Sequence, residues 1–134
     1  MKRYSLIIIF FLIISCKESV DKKKDIVYLS PDCGCCHDWI SHMESNDFIL
    51  EKNMDANMYD IKINAGLPID LASCHTALIQ GYFIEGHVPA EDVKRLLKEA
   101  PDNIIGLTVP GMPAGINVPG MEVNNEKANF DVLA

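Results

Sequence analysis

Cys33, Cys35, Cys36 and Cys74 have the types and spacing that suit redox or metal chemistry. Cys33 and Cys36 form a C-x-x-C pair, and Cys35 lies between them. This spacing is typical of a thiol–disulfide pair or of a metal chelate at the start of a helix. At a helix N-terminus the unpaired backbone N–H groups and the helix dipole favour the thiolate, which is both a nucleophile and a soft-metal ligand. Thiol exchange and metal binding therefore both stay open.

The third cysteine, Cys35, favours metal binding. Thiol exchange needs one attacking sulfur, here Cys33, and one resolving sulfur, here Cys36, so a third thiolate has no necessary role in it. A third thiolate does raise the coordination number of a metal site. Structural disulfides are the usual use of an even number of cysteines in an exported protein. They do not account for the motif fully, because vicinal cysteines pair only with strain.

Hydrophobic periodicity predicts the elements that must position these thiols. Asp55 is the expected N-cap of the second helix, and the turn at Gln80-Gly81 joins two strands into a hairpin. The order predicts an α/β fold of the thioredoxin-like three-layer type with a mixed sheet. The expected elements are a strand at 26–29, a helix at 36–46, a strand at 48–51, a helix at 56–65, strands at 76–79 and 82–84, a helix at 89–100 and a strand at 106–109.

The residues before the third strand extend the candidate site. In a thioredoxin-like fold the residue at this place, commonly a cis-proline, faces the C-x-x-C pair. Here the strand 76–79 follows Cys74 and His75, with no proline between. We therefore expect a fourth sulfur and an imidazole to face the first three thiols. Pro68, the nearest proline upstream, is the alternative occupant of that place.

Four thiolates and a histidine suit either zinc or Cu(I), and two methionines help to decide between these metals. Met112 and Met121 lie in a Gly- and Pro-rich segment, where a methionine has no helix or strand face to bury. A thioether selects Cu(I) and is a poor zinc ligand. The alternative is that both side chains fill gaps under the loop. A structural zinc site is the third hypothesis, and it needs no methionine.

The four histidines divide into candidate ligands and other roles. His75 adjoins Cys74 and is expected to bind metal or to support a ligand. His37 is a candidate for a supporting or occasional ligand, because it lies in the first helical turn. His87 is expected to brace the last helix or to bind metal. His42 is expected to face the solvent.

The first fifteen residues have the pattern of an export signal. A basic pair precedes the apolar run 6–14, which is well short of the roughly 18 to 20 residues that span a bilayer. The sequence I-I-S before Cys16 resembles a lipobox, which predicts Cys16 as an acylated N-terminus; an ordinary signal peptide with a free Cys16 is the alternative. Several acyl chains make a stable membrane anchor. The expected organisation is a lipoprotein signal at 1–15, a flexible tether at 16–25 and a domain at 26–134.

The charge balance excludes one class of partner. The chain has 12 Lys and Arg against 19 Asp and Glu, for a net charge of -7. Removal of 1–15 takes away Lys2 and Arg3 and no acidic residue, so the remainder carries about -9. Nucleic acid is therefore excluded as a partner, because such a chain repels the phosphate backbone.

Several motifs together resemble one known family. They are C-G-C-C-H-D-W at 33–39, S-C-H-T-A at 73–77, G-Y-F-I-E-G-H-V-P-A at 81–90, P-G-M-P at 110–113 and P-G-M-E at 119–122. This set is similar to the CopG-type periplasmic copper-resistance proteins over residues 26–134. One departure is the segment 114–118, which is longer than the family's usual Gly-Ser link.

The resemblance implies a thioredoxin-like domain in which thiolate sulfurs bridge several Cu(I) ions. The ligands carried over are Cys33, Cys35, Cys36 and Cys74. It also implies a role in copper resistance, with redox conversion between Cu(I) and Cu(II) as a further activity. The expected location is the bacterial cell envelope, as a periplasm-facing, membrane-anchored lipoprotein. The expected partners are copper ions, the membrane through the lipid anchor, and a copper-efflux or copper-chaperone protein.

Overall fold

The computed structural model describes residues 24–54, 56–123 and 125–134. The expected signal segment, Cys16, most of the tether and the expected N-cap Asp55 lie outside these ranges. Within them, no helix combines the length and the apolar character needed to cross a membrane.

The described chain forms an α/β domain whose elements follow the predicted order. The hairpin is confirmed: Gln80 and Gly81 both have positive φ, as a two-residue turn between antiparallel strands requires. The elements are β1 (Ile26–Tyr28), α1 (Gly34–Glu44), β2 (Glu51–Asn53), α2 (Met58–Asn64), a short 3-10 helix (Ile69–Leu71), β3 (Thr76–Ile79), β4 (Tyr82–Glu85), α3 (Ala90–Glu99) and β5 (Gly106–Thr108).

The five strands form one mixed sheet in the order β2-β1-β3-β4-β5. β1 is parallel to β2 and antiparallel to β3, β3 is antiparallel to β4, and β4 is parallel to β5. The predicted mixed-sheet fold is thus confirmed. Tyr28, at the end of β1, pairs with Thr76, at the start of β3. The loop that leaves β1 and the loop that enters β3 therefore meet at the same end of the sheet.

The core lies between the sheet and the apolar faces of α1 and α3. On α1, Trp39, Ile40 and Met43 are fully buried at helical spacing, and each such side chain contributes about 1.5–3 kcal/mol of transfer free energy. The indole N–H of Trp39 donates to the carbonyl of Val88 at 2.9 Å. This bond joins α1 to the segment before α3, so the first helix is fixed against the sheet and against that segment.

Three elements begin two or more residues away from their predicted starts. The second strand was expected at 48–51 but spans Glu51–Asn53, because Ile26 pairs first with Glu51; the buried Phe48 and Leu50 pack in the preceding loop. α1 begins at Gly34, two residues earlier than expected. α2 begins later than expected, at an N-cap formed by Asn57, whose side chain accepts the N–H of Tyr59.

The prediction that His42 faces the solvent is wrong. The side chain is partly buried, and its Nε2 accepts the backbone N–H of Ala90 at 3.1 Å. The N-cap of α3 is Pro89, which offers no side-chain acceptor, so the imidazole of His42 satisfies one of the free N–H groups of α3. Burial lowers the pKa of His42, and the nearby carboxylates of Glu122 and Glu91 offset this only in part.

We expect this cap to make the stability depend on pH. Because the pKa of His42 is lowered on folding, its contribution is complete above the ordinary value of 6.5 and declines as the pH falls below that value. His42→Ala should lower the free energy of unfolding at pH 7.5 by about 0.5–2 kcal/mol, as loss of a cap does, and by less at pH 5.5. Urea denaturation at both pH values measures this, with His37→Ala on the same helix as the control. An equal loss at both pH values would contradict the assignment.

Candidate metal centre

The four cysteine sulfurs come together at the end of the sheet where β1 and β3 meet. Cys33 is the N-cap of α1, and the backbone N–H groups of Cys36 and His37 donate to its carbonyl. Cys74 lies in the loop that enters β3. The Sγ atoms of Cys33, Cys35, Cys36 and Cys74 all lie within 4.8 Å of one another. The fold thus brings together the four predicted ligands, whose metal binding stays a prediction.

Two of these cysteines are joined in this structure. Cys33 and Cys36 form a disulfide, and Cys35 and Cys74 are free thiols. The Sγ of Cys35 lies 3.5 Å from that of Cys33. Cys36 is fully buried, whereas Cys33 is partly exposed, so a reductant reaches the disulfide from the Cys33 side. The structure is therefore that of the oxidised pair, and four free cysteine sulfurs become available only after its reduction.

Two imidazoles lie against Cys74. Its Sγ is 3.3 Å from Nδ1 of His75 and 3.3 Å from Nε2 of His87, and these three residues form a second group with metal-ligand spacing. His87 donates from Nδ1 to the carbonyl of Pro119 at 2.8 Å, because a carbonyl can only accept. In the neutral ring the Nε2 lone pair then faces Cys74. His87, for which the sequence left bracing and binding open, thus lies beside the thiols, and His42 caps α3.

His75 is buried between aromatic rings inside the site. Its ring lies 4.4 Å from that of Trp39 and 5.2 Å from that of His87. Among the side chains in the described part of the chain, its Nε2 is the one buried nitrogen or oxygen without a hydrogen-bond partner. Burial, with smaller effects from His87 and Lys62, lowers the pKa of His75 to about 3. The ring is therefore neutral at physiological pH, which is the form that binds metals.

Two further titratable groups at the site, His87 and Cys74, are also held uncharged. Burial lowers the pKa of His87. Burial, followed by the charge of Cys35, raises the pKa of Cys74 to about 11, so Cys74 is a protonated thiol at neutral pH in the metal-free protein. A soft metal that binds this sulfur must displace its proton, so loading of the site is coupled to proton release.

The predicted methionine ligands lie on segments that adjoin the thiols. Met112 is 59% exposed, and the preceding Gly111 accepts from Ser73 Oγ at 2.6 Å and donates to Ala72, in the loop that carries Cys74. Met121 is partly buried and follows Gly120, which packs on the carbonyl of Cys35. Both segments are therefore adjacent to the site, while ligation by either thioether stays a prediction.

His37 has a different surrounding. It is partly buried, and its Nε2 donates to the carbonyl of Pro31 at 3.3 Å. The ring is therefore held by the loop that precedes α1. It is not part of either group of residues with metal-ligand spacing in the described chain.

Comparisons with known proteins show which family this chain belongs to. Residues 71–121 match a family model described as "Protein of unknown function, DUF411". No curated protein matches the chain. Two solved structures, forms 1 and 2 of a copper resistance protein named CopG, are each 40% identical to this chain with a TM-score of 0.73. The alignments cover 81% of this chain and 84% and 85% of those chains. With this identity over most of both proteins, the chain belongs to the CopG family of copper resistance proteins.

Proposed function

We propose that this protein binds Cu(I) in a thiolate site formed by Cys33, Cys35, Cys36 and Cys74, and that it serves copper resistance or copper handling. The observation that carries the proposal is the convergence of four sulfurs within 4.8 Å, three from the N-terminus of α1 and one from the loop that enters β3. Relatives that are named copper resistance proteins support the choice of metal.

The number of soft donors favours a site with more than one copper ion. Four sulfurs and the nitrogens of His75 and His87 exceed the four donors that a single tetrahedral zinc ion takes. Cu(I) is selected by thiolate ligands, and one thiolate can bridge two ions. Met112 and Met121 on the adjoining segments would supply the thioethers that Cu(I) accepts and zinc does not. The zinc hypothesis is weaker for both reasons.

We also propose that the protein acts outside the cytoplasm as a lipoprotein of the bacterial cell envelope. The support is the sequence pattern of residues 1–15 and the lipobox before Cys16. An anchor at Cys16 and a tether up to residue 25 would hold the copper site near the membrane surface. The partner that we propose at this location is a copper-efflux or copper-chaperone protein.

A titration with Cu(I) tests the proposed site. The reduced protein should bind more than one equivalent, and Cys74→Ser should lower that number because it removes a sulfur shared between ions. The measurement is anaerobic titration against a chromogenic Cu(I) chelator, with Glu99→Gln, at an exposed position at the end of α3, as the control variant. Binding of a single equivalent that Cys74→Ser leaves unchanged would contradict a multinuclear site.

The second candidate function is thiol–disulfide exchange, which the state of the Cys33–Cys36 pair favours. The more exposed Cys33 would attack, and the buried Cys36 would resolve the mixed disulfide. This chemistry uses neither Cys35 nor Cys74. The copper variants therefore separate the two functions: insulin reduction that persists when Cys35 and Cys74 are both replaced by serine would support exchange.

A further inference from the structure

A buried carboxylate holds both ends of the dipeptide Cys74-His75. Glu85, at the end of β4, is 1% exposed. Its Oε1 accepts the backbone N–H of Ser73 at 2.6 Å, and its Oε2 accepts the hydroxyl of Thr76 at 2.6 Å. These donors are the residues immediately before and after the dipeptide. One side chain thus fixes the residues on both sides of Cys74 and His75.

We propose that Glu85, with Lys62 as its counter-ion, positions Cys74 and His75 for metal binding. The inference rests on the proposed function, in which Cys74 binds copper. Neither Glu85 nor Lys62 belongs to the groups of candidate ligands in the described chain, so both would act through the residues they hold.

The dipeptide needs this support because it lies outside the regular elements. The residue that follows β4 helps, since Gly86 donates its backbone N–H to the carbonyl of His75 at 3.0 Å. The approach is close: a Cβ at Gly86 would lie 2.6 Å from the Cβ of Ser73. The Ser73 N–H, however, finds its acceptor in Glu85. Without the carboxylate, this partly buried donor would lose its partner and the loop would be free to shift.

Lys62 neutralises the charge of the buried Glu85 carboxylate and connects α2 to the site. Its ammonium group pairs with Glu85 Oε1 and donates to the Thr76 hydroxyl at 2.8 Å. The side chains of Lys62 and Glu85 are only 12% and 2% exposed. A buried ion pair contributes little net stability, although removal of one partner alone is costly. The pair therefore serves to define one arrangement of the loop more than to stabilise the fold.

Paired substitutions test the positioning role without leaving a lone buried charge. In the variant with Lys62→Met and Glu85→Leu, the side-chain volume is largely kept, and the two Glu85 oxygens that accept from Ser73 and Thr76 are lost. We expect it to fold and to bind Cu(I) about 10–100-fold more weakly, as loss of an outer-shell partner does. In the variant with Lys62→Met and Glu85→Gln, the amide oxygen again accepts the Ser73 N–H. This variant should recover most of the affinity and the Cu–thiolate absorption.

Two controls separate positioning from general destabilisation. Leu96→Ala removes buried volume on α3 away from the site, and it should lower the stability but leave the Cu(I) affinity unchanged. Cys74→Ser is measured in parallel. If Cys74→Ser does not lower copper binding, the proposed function fails. If Cys74→Ser lowers copper binding but the variant with Lys62→Met and Glu85→Leu binds like the wild type, only the positioning role fails.

The remaining outcomes also decide the question. A loss of affinity in Leu96→Ala that matches the loss in the Lys62→Met, Glu85→Leu variant would overturn the positioning role, because it would show an effect of stability alone. If that double variant does not fold, Thr76→Val decides, since it removes the hydroxyl that donates to Glu85 and keeps a β-branched residue in β3. It should weaken Cu(I) binding in the same direction by a smaller factor, and wild-type affinity in that variant would refute the proposal.

Discussion

Reduction of the Cys33–Cys36 disulfide is expected to raise the copper capacity of the protein from at most one Cu(I) to several. A disulfide sulfur carries no thiolate charge, and the thiolate is the form that binds soft metals. The oxidised protein therefore retains two thiols, Cys35 and Cys74, and the imidazoles of His75 and His87 lie beside Cys74. The reduced protein offers four free cysteine sulfurs within 4.8 Å of one another, and the Cys74 sulfur becomes a thiolate when a metal displaces its proton.

The reduction consumes two electrons and two protons from a dithiol such as dithiothreitol, which is itself oxidised to a disulfide. Attack falls on the partly exposed Cys33 and releases the buried Cys36 as the leaving thiolate. Capacity is measured by anaerobic Cu(I) titration of diamide-treated and reduced protein after removal of the reagents. Mass spectrometry of alkylated samples reports the oxidation state of each cysteine.

Cys36→Ser is the control for this experiment. It cannot form the disulfide, so its Cu(I) capacity should be the same after either treatment and lower than that of the reduced wild type. Equal capacity in the oxidised and reduced wild-type protein would show that the C-x-x-C sulfurs are not copper ligands. That result would leave the exchange function of Cys33 and Cys36 as the better account of the motif.

The meeting of Cys33 and Cys74 could be predicted because it follows from the order of the elements. Periodicity located α1 and the hairpin within two residues, and the fold pairs the end of β1 with the start of β3. The strand 48–51 was misplaced for a physical reason. Phe48 and Leu50 alternate as in a half-buried strand, but hydrophobicity reports burial and does not report backbone pairing.

The roles of His42 and Glu85 could not be predicted, and the two roles expected for His87 could not be separated, because each depends on a contact between elements distant in sequence. His42 and Ala90 are far apart along the chain, and no local pattern shows that the imidazole of one helix caps another. Glu85 ends an apolar strand, where a carboxylate usually faces the solvent. One signal was present: its register partner is Thr76, a polar residue at the start of β3.

Gly120→Ala is expected to destabilise the protein and to disrupt the copper site at the same time. Gly120 has a φ of 77°, in the left-handed region, and it packs against the backbone of α1 at Cys35 and Trp39. A Cβ there would be 2.6 Å from the backbone nitrogen of Trp39 and 2.7 Å from the carbonyl oxygen of Cys35. Backbone strain and overpacking would each cost about 1–3 kcal/mol.

The added Cβ would clash with the backbone of α1, which cannot move without breaking the helix. The 119–121 segment must therefore be displaced. That displacement would break the bond from His87 Nδ1 to the carbonyl of Pro119 and leave the ring free to turn its Nε2 away from Cys74. It would also move Met121. We therefore expect weaker Cu(I) binding together with a lower free energy of unfolding, measured by chelator competition and by urea denaturation.

Gly111→Ala is the matched control, because Gly111 has a similar φ of 68° but open space where the Cβ would lie. It carries the backbone strain without the overpacking, so its loss of stability should be smaller than that of Gly120→Ala. If both variants lose the same free energy of unfolding, the 119–121 segment moves at no energetic cost, and its packing on α1 does not hold His87. A large loss of stability in Gly120→Ala with unchanged Cu(I) affinity would separate the fold from the site, and it would limit the copper ligands to groups that this segment does not orient.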